Sequence, residues 1–599
     1  MCGIAGKTDW KNSGSEIYEV VKSMTDKLIH RGPDNEGIVK LDHITLGHRR
    51  LSIIDLSAKA NQPMQSSDGR YHIVYNGEVY NFQEIRRDLE KQNVKFFTNS
   101  DTEVILNSYA MHGKDCFRKF NGMFALAIWD RFKKELILAR DRFGKKPLYY
   151  YIHPDKNITF ASELTSLVED KTVPRKISGE GLNCYLALGY ILAPMTFYEN
   201  IFKLEQSTYM VISDEGNKII KNRYWNYAEV FRNKTNDTVN EVKDKIIYLL
   251  GESVRRRMIS DVPVGAFLSG GIDSSSIVAL MKKYHKGDLH TFSVGFSQKS
   301  YNELPDADRM AQWAGTKHHG LICEVRDGIE FIDNAISAYD EPFADNSLVP
   351  MIEVSKLASN YVKVVLSGDG ADEIFAGYIT YKADKYYKFV KSIPEAFRKA
   401  LLNYSGSGNS NKKLNWKYKQ KQFLNGTFYS AEKAHYLWRQ FFSPEERIVI
   451  MGNEYRELIS DTDPFSIFKK YYDNADDLDT LDKNLYVDGM TWLADDILVK
   501  ADRATMHSSI ESRSPYLDPD LVSYVSSLPS DLKMKGIQTK YILKKALKDV
   551  VPDFVLNKKK SGFNAPVGSW IGMNGNDEFK TFNKYVYERK YKPGTDKTV

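Results

Sequence analysis

The chain has 599 residues, with Lys+Arg 84 against Asp+Glu 78 and a formal net charge of +6. With 42% hydrophobic and 27% charged residues it has globular composition, which excludes disorder as its main state. The charge excess is too thin for a nucleic-acid footprint, and the most apolar stretch, Leu182 to Phe197, is interrupted by Asn183, Gly189 and Pro194, which excludes a membrane span. The four cysteines, Cys2, Cys116, Cys184 and Cys323, show no CxxC spacing, and no basic-then-apolar signal segment opens the chain. A reducing, cytoplasmic setting is the expectation. Basic clusters such as Lys558-Lys559-Lys560 read as solvated surface.

From the N-terminus, short β-branched or aromatic runs predict strands at Ile44–Leu46, Tyr71–Tyr75, Phe124–Trp129, Glu135–Ala139 and Leu148–Ile152. A helix is predicted from Asp101 to Met111, with Asp101 as a candidate cap. This pattern is an α+β domain on antiparallel sheets, over residues 1–205, followed by a connector over 206–235. From 236 to 599 strand-like runs at Val264–Leu268, His290–Phe296 and Val362–Leu366 alternate with helices such as Ser275–Tyr284, which predicts a parallel sheet covered on both faces. Residues 380–480 read as mostly helical, with an exposed loop at Gly406–Asn411.

Cys2 follows Met1, and removal of Met1 would leave a free α-amine beside the thiol. Such an amine has a pKa of about 8, so its neutral fraction can take the thiol proton. Asn76-Gly77 ends a strand-like run; it reads as a hairpin turn, or as two N–H donors for an oxyanion. Arg50 suits a substrate carboxylate and Asp101 an ammonium, with helix N-cap as the alternative for Asp101.

Further along, Leu268-Ser269-Gly270-Gly271-Ile272-Asp273-Ser274-Ser275 follows a strand and opens a helix. Two glycines let the backbone wrap a phosphate, and the helix N-terminus points N–H groups at it. No Lys follows as in a Walker loop. A companion loop, Ser367-Gly368-Asp369-Gly370-Ala371-Asp372, ends the third strand. Asp273 and Asp372 are candidates to share Mg²⁺, with helix capping as the alternative for Asp372. Lys540 alone reads as a surface lysine of a helix from Lys540 to Lys548.

Cys2-Gly3-Ile4, His30–Asp34, Arg50–Ile54, Asn61–Met64, Asn76-Gly77-Glu78, Ser100-Asp101 and Ala139–Gly144 together resemble the glutaminase domain of class II amidotransferases, the N-terminal-nucleophile group. The resemblance implies an αββα sandwich in which Arg50, Ile53, Ile54, Asn76, Gly77, Glu78 and Asp101 contact glutamine, with Asn76 and Gly77 as oxyanion donors. The Ser-Gly-Gly-Ile-Asp-Ser-Ser loop resembles that of PP-loop ATP pyrophosphatases. With Val262–Gly265, Tyr339–Asp345, Leu366–Tyr378, Asp496–Arg503, Pro515–Asp518, Thr539–Tyr541 and Ser561–Phe563, the second half resembles the synthetase domain of glutamine-hydrolysing asparagine synthetases. That implies a doubly wound PP-loop domain with added helices. Leu268, Ser269, Gly270, Gly271, Asp273, Ser274, Ser275, Val294, Ser367 and Gly368 would bind ATP, Asp369 would serve intermediate formation, and Lys540 would be catalytic.

The expectation is ATP- and Mg²⁺-dependent amidation of aspartate by ammonia from glutamine, with release of AMP, pyrophosphate and glutamate. Partners are the small molecules glutamine, aspartate and ATP, with a homodimer as a candidate assembly. The segment Asp340-Glu341-Pro342-Phe343-Ala344-Asp345 resembles a branch that also holds amidotransferases of sugar or peptide carboxylates, so a uronic acid or peptide is the alternative acceptor. A tRNA-modifying PP-loop protein would need a basic platform, and a regulatory paralogue would lack Cys2 or the glycine loop; neither fits.

Overall fold

The structure is a computed structural model, described here for residues 2–11, 16–324, 328–404, 416–559, 562, 565–571 and 578–590. The loop expected at Gly406–Asn411 and parts of the Lys558–Lys560 and Ser561–Phe563 runs lie outside these residues.

Among the described residues, twelve strands build the first half: β1 Gly3–Thr8, β2 Asn35–Leu41, β3 Ile44–Arg50, β4 Met64–Gln65, β5 Tyr71–Val79, β6 Gly122–Asp130, β7 Glu135–Arg140, β8 Tyr149–Ile152, β9 Ile158–Ala161, β10 Ile201–Lys203, β11 Thr208–Ser213 and β12 Lys218–Arg223. They form two six-stranded sheets, ordered β10-β8-β9-β1-β3-β2 and β12-β11-β7-β6-β5-β4, whose pairings are antiparallel. The stretch read as a connector over 206–235 contains β11 and β12, the outer strands of the second sheet.

Strand alternation decides the layering. Val74, Ala125, Ala127 and Tyr150 point between the sheets and pack with Ile4, Leu46 and Phe160. Their neighbours Tyr75, Phe124 and Leu126 face outward against Phe82, Leu89, Val104 and Ile105 of the helices Phe82–Glu90 and Asp101–His112. Tyr149 and Tyr151 turn the other way, onto Met24 and Leu164. The result is the αββα sandwich that the resemblance implied. Both faces of each central strand are dry, which is why these strands read as continuous apolar runs.

Among the described residues, the second half holds a five-stranded parallel sheet: β13 Val264–Phe267, β14 His290–Phe296, β15 Lys317–Cys323, β16 Val364–Leu366 and β17 Glu511–Arg513, ordered β15-β14-β13-β16-β17. From β13 the chain winds outward to β15, then returns to lay β16 on the other side of β13. The order therefore reverses between β13 and β16, and a parallel sheet binds ligands at such a crevice, beyond the strand C-termini. The segment 380–480 is largely helical, as expected, including Ile379–Lys391, Ala431–Leu437 and Phe465–Asn474.

The halves meet over a buried, charged seam. Arg31 joins Glu163 within the first half and Asp502 of the second, and Arg503 reaches back to Glu163. No helix among the described residues is long and apolar enough to cross a membrane.

Candidate active sites

Cys2 lies at the edge of a cleft lined by Arg50, Ile53, Ile54, Gly77, Glu78 and Asp101, together with Tyr75, Gln62 and Glu511. The Cys2 main-chain nitrogen donates to Asn76 Oδ1 at 3.1 Å, while the Nδ2 of the same amide is buried without a hydrogen-bond partner. An orphaned buried donor is unfavourable unless a ligand completes it. Burial pushes the Cys2 thiol above its ordinary value, against the pull of the Leu51 N–H and Arg50. A raised thiol is a poor nucleophile unaided, so a local base is required.

Asn76 and Gly77 do not form a turn. They sit inside β5, opposite Ala125 and Phe124. The Asn-Gly pair serves close packing instead: a Cβ on Gly77 would lie 2.1 Å from the Met123 carbonyl oxygen. Asp101 is not the cap of its helix either. Ser100 is, with Oγ accepting from Glu103 N. That frees the Asp101 carboxylate to face the cleft, where Oδ2 accepts from Tyr75 OH at 2.8 Å and Val79 N at 3.0 Å. Burial raises it to about 6 despite those donors. Glu78 is pushed well above the usual carboxylate range by burial and by Asp101, and its Oε1 has no hydrogen-bond partner. Arg50 keeps Nη1 on Ser57 O at 3.0 Å and Asn61 Oδ1 at 2.7 Å, and so shapes the 51–61 loop as well as lining the cleft.

Two residues in this region carried no sequence signal. Glu511 lines the cleft at Cys2 from β17 of the other half, and Arg513, two residues on along that strand, pairs with Glu78 at 3.1 Å. A strand of three residues has too little pattern to be seen.

The second site gathers at the crevice between β13 and β16. The Leu268–Gly271 segment leaves β13 and runs into the helix Ile272–Tyr284; Ser367-Gly368-Asp369-Gly370 leaves β16. Gly270 has φ +67, and a Cβ there would lie 2.6 Å from the Asp306 backbone. The two loops touch: a Cβ on Gly368 would be 2.9 Å from Asp273 Cβ. Ser274 Oγ accepts from Ser269 N at 3.1 Å, which closes the turn, and Ser275 Oγ is buried without a partner. Val294 lies buried on β14, next to β13, and Ser367 Oγ donates to Asp369 Oδ2 at 2.7 Å.

Lys540 is not a surface lysine. It precedes the helix Tyr541–Ala546 in the left-handed conformation, φ +53, and is 3% exposed. Its ammonium lies 2.5 Å from Asp273 Oδ1 and 2.6 Å from Asp372 Oδ1. Burial works against its charge, but the two carboxylates outweigh that and raise it above the ordinary lysine value. Asp273 and Asp372 therefore converge on the Lys540 ammonium. No group of three or more His, Cys, Asp or Glu is arranged for a metal ion among the described residues, so substrate phosphates would complete the shell of a shared Mg²⁺. Lys558, read as solvated, instead donates to Ser269 O at 3.1 Å and pairs with Asp306 at 2.8 Å. Its long stem lets a surface position reach the glycine loop.

The family models that match are "Asparagine synthase" over residues 245–581 and "Glutamine amidotransferase domain" over 1–225. "Asparagine synthetase [glutamine-hydrolyzing] 1" of Bacillus subtilis (strain 168) is 34% identical over 96% of this chain and 89% of its own. "Putative asparagine synthetase [glutamine-hydrolyzing] 2" of Methanocaldococcus jannaschii is 40% identical over 66% of this chain and 79% of its own. "Amidase chry2" of Gibberella zeae is 28% identical over 93% of this chain and 86% of its own.

Proposed function

This chain belongs to the asparagine synthase family, and from that premise we propose that it carries the amide nitrogen of glutamine to the side-chain carboxylate of aspartate, at the expense of ATP. In the first site the Cys2 thiol attacks the glutamine side-chain amide, giving up its proton to the α-amine exposed when Met1 is removed. Asn76 Nδ2 and the Gly77 N–H receive the developing oxyanion. Arg50 and Asp101 hold the carboxylate and ammonium of glutamine, respectively. Ammonia departs, a thioester remains on Cys2, and water frees glutamate.

In the second site the loops after β13 and β16 hold ATP, and the acceptor carboxylate attacks the α-phosphorus to give an acyl-AMP and pyrophosphate. Asp273 and Asp372 would hold Mg²⁺, which neutralises phosphate charge when bound. The Lys540 ammonium stabilises negative charge as the phosphates separate. Asp369, beside Ser367 at the mouth of the nucleotide loops, takes part in forming the intermediate. Ammonia then attacks the acyl carbon and AMP leaves. A shielded passage between the sites is favoured because ammonia in bulk water is protonated.

The observation that carries this reading is Asn76, whose Oδ1 engages the Cys2 nitrogen while its Nδ2 is buried without a partner. The test is pyrophosphate release from ATP and Mg²⁺ with ammonia, comparing aspartate with no acceptor and assaying asparagine in the same tubes. Aspartate-dependent pyrophosphate with matching asparagine supports it; no response to aspartate rejects it. The similarity to a protein named an amidase supports a second reading, in which the same chemistry acts on another carboxylate, such as a uronic acid or a peptide.

A further inference from the structure

A second, small cavity shares no lining residue with the cleft at Cys2. Tyr80, Arg142 and Lys145 line it from the first half, and Arg257, Ser514 and Leu517 from the second. Its charges are lopsided: three cations face one carboxylate, Asp141. That carboxylate is already committed to main-chain N–H groups of Phe124, Phe143, Lys145 and Lys146, at 3.0–3.1 Å. Arg257 is paired with Asp518 at 2.8 Å. Arg142 and Lys145 have no ion-pair partner among the described residues. Arg142 donates to the Phe120 and Arg118 carbonyls and Lys145 to Ser514 Oγ, all of them neutral acceptors.

Both of these cations are more than nine-tenths buried, at 7% and 4% exposure. Three polar atoms of the lining side chains, Arg142 Nε, Arg257 Nε and Tyr80 OH, are buried without a partner. A buried cation without a directly paired counter-charge is unfavourable, even with Asp369, Asp502 and Asp141 acting on Lys145 from farther off, and orphaned buried donors add to it. Burial accordingly pushes Lys145 down to about 8 and Arg142 below its ordinary value. An anion in the cavity would relieve the charge and satisfy the donors together.

We propose that this cavity binds a small oxyanion of the inorganic phosphate class, held by Arg142 and Lys145 on one side and Arg257 on the other. Guanidinium groups and an ammonium are the donors such an anion takes, and neutral or apolar ligands would leave the charge unrelieved. Because the site spans both halves, an anion that binds only their docked arrangement stabilises it by RT ln(1 + L/Kd), where L is its free concentration.

The test is calorimetric titration of inorganic phosphate into the full chain, with the nucleotide site filled by α,β-methylene ATP and Mg²⁺. One binding event per chain is expected to persist with the analogue present. It should weaken at least tenfold in Lys145→Met and in Arg142→Met, and survive in Lys145→Arg. Tyr80→Phe, which deletes only the orphaned hydroxyl, keeps the test decisive if a charge variant fails to fold, and should weaken binding too. A pyrophosphate arm separates a free phosphate ligand from retained product, and binding of either supports the site. Binding of neither, binding abolished by the analogue, or equal binding in all variants would overturn the proposal.

Discussion

Arg31 and Asp502 meet across the seam between the two halves at 2.8 Å, with side chains 0% and 1% exposed. The same guanidinium donates from Nε to the Cys2 carbonyl at 3.1 Å and from Nη1 to Glu163 at 2.7 Å, and Asp502 also takes Lys146 at 2.9 Å. The main chain of the proposed nucleophile is thereby tied to the helix Leu498–His507 of the synthetase half.

Arg31→Met would leave Glu163 and Asp502 buried with one fewer counter-charge. Breaking a buried pair from one side typically destabilises by about 3–5 kcal/mol. The expected result is a clear fall in the urea midpoint, partly recovered in Arg31→Met/Asp502→Leu. A midpoint shift of a surface-pair size would show that the seam does not depend on this contact.

Asn76→Ala removes the unpartnered Nδ2 and the acceptor for the Cys2 nitrogen together. Loss of one oxyanion donor lowers kcat by about 10²–10³. Glutaminase activity should fall by at least that much, while ammonia-dependent amidation continues at the normal rate. Equal loss of both activities would contradict two separate sites.

Asp101 gives the glutamine step an acid limb. The bound ammonium of glutamine requires the carboxylate ionised, and burial holds Asp101 at about 6. In the free enzyme kcat/KM for glutamine should fall as pH drops through about 6, and ammonia-dependent amidation should not share that limb. The sign for stability is opposite. A carboxyl raised on folding binds its proton more tightly in the folded state, so its contribution is fullest below its unfolded value and declines as pH rises to about 6. Asp101→Asn should abolish both dependences; a limb unchanged in that variant would assign it elsewhere.

What the sequence made legible was what repeats or carries a pattern. Continuous β-branched and aromatic runs gave the strands, and glycine loops after strands marked the crevice between β13 and β16. Local signals misled where two sheets or two halves decide the outcome. Asn76-Gly77 has turn chemistry, yet pairing with Ala125 and Phe124 keeps it extended. Ser100 outcompetes Asp101 as cap because Asp101 already serves Tyr75 and Val79. Lys540 reads as exposed on its own helix, and only the fold brings Asp273 and Asp372 around it from 267 and 168 residues earlier. Glu511 had no signal at all, since its place in the cleft depends on how the halves dock.

Gly377 tests the carboxylate geometry around Lys540. A Cβ there would fall 1.8 Å from Asp372 Oδ1 and 2.4 Å from Lys540 Cε, so Gly377→Ala must displace one or both. Lys540→Met removes the charge outright and leaves Asp273 and Asp372 facing each other. Both variants should lower pyrophosphate release at least 100-fold, the scale of losing a charge that acts on the separating phosphates. Glutaminase activity should survive, because neither residue lines the cleft at Cys2. Lys540→Arg keeps the charge but not the compact ammonium that fits between two carboxylates, so only partial recovery is expected. Full pyrophosphate release in Lys540→Met would remove this lysine from the chemistry and leave the two carboxylates to act with Mg²⁺ alone.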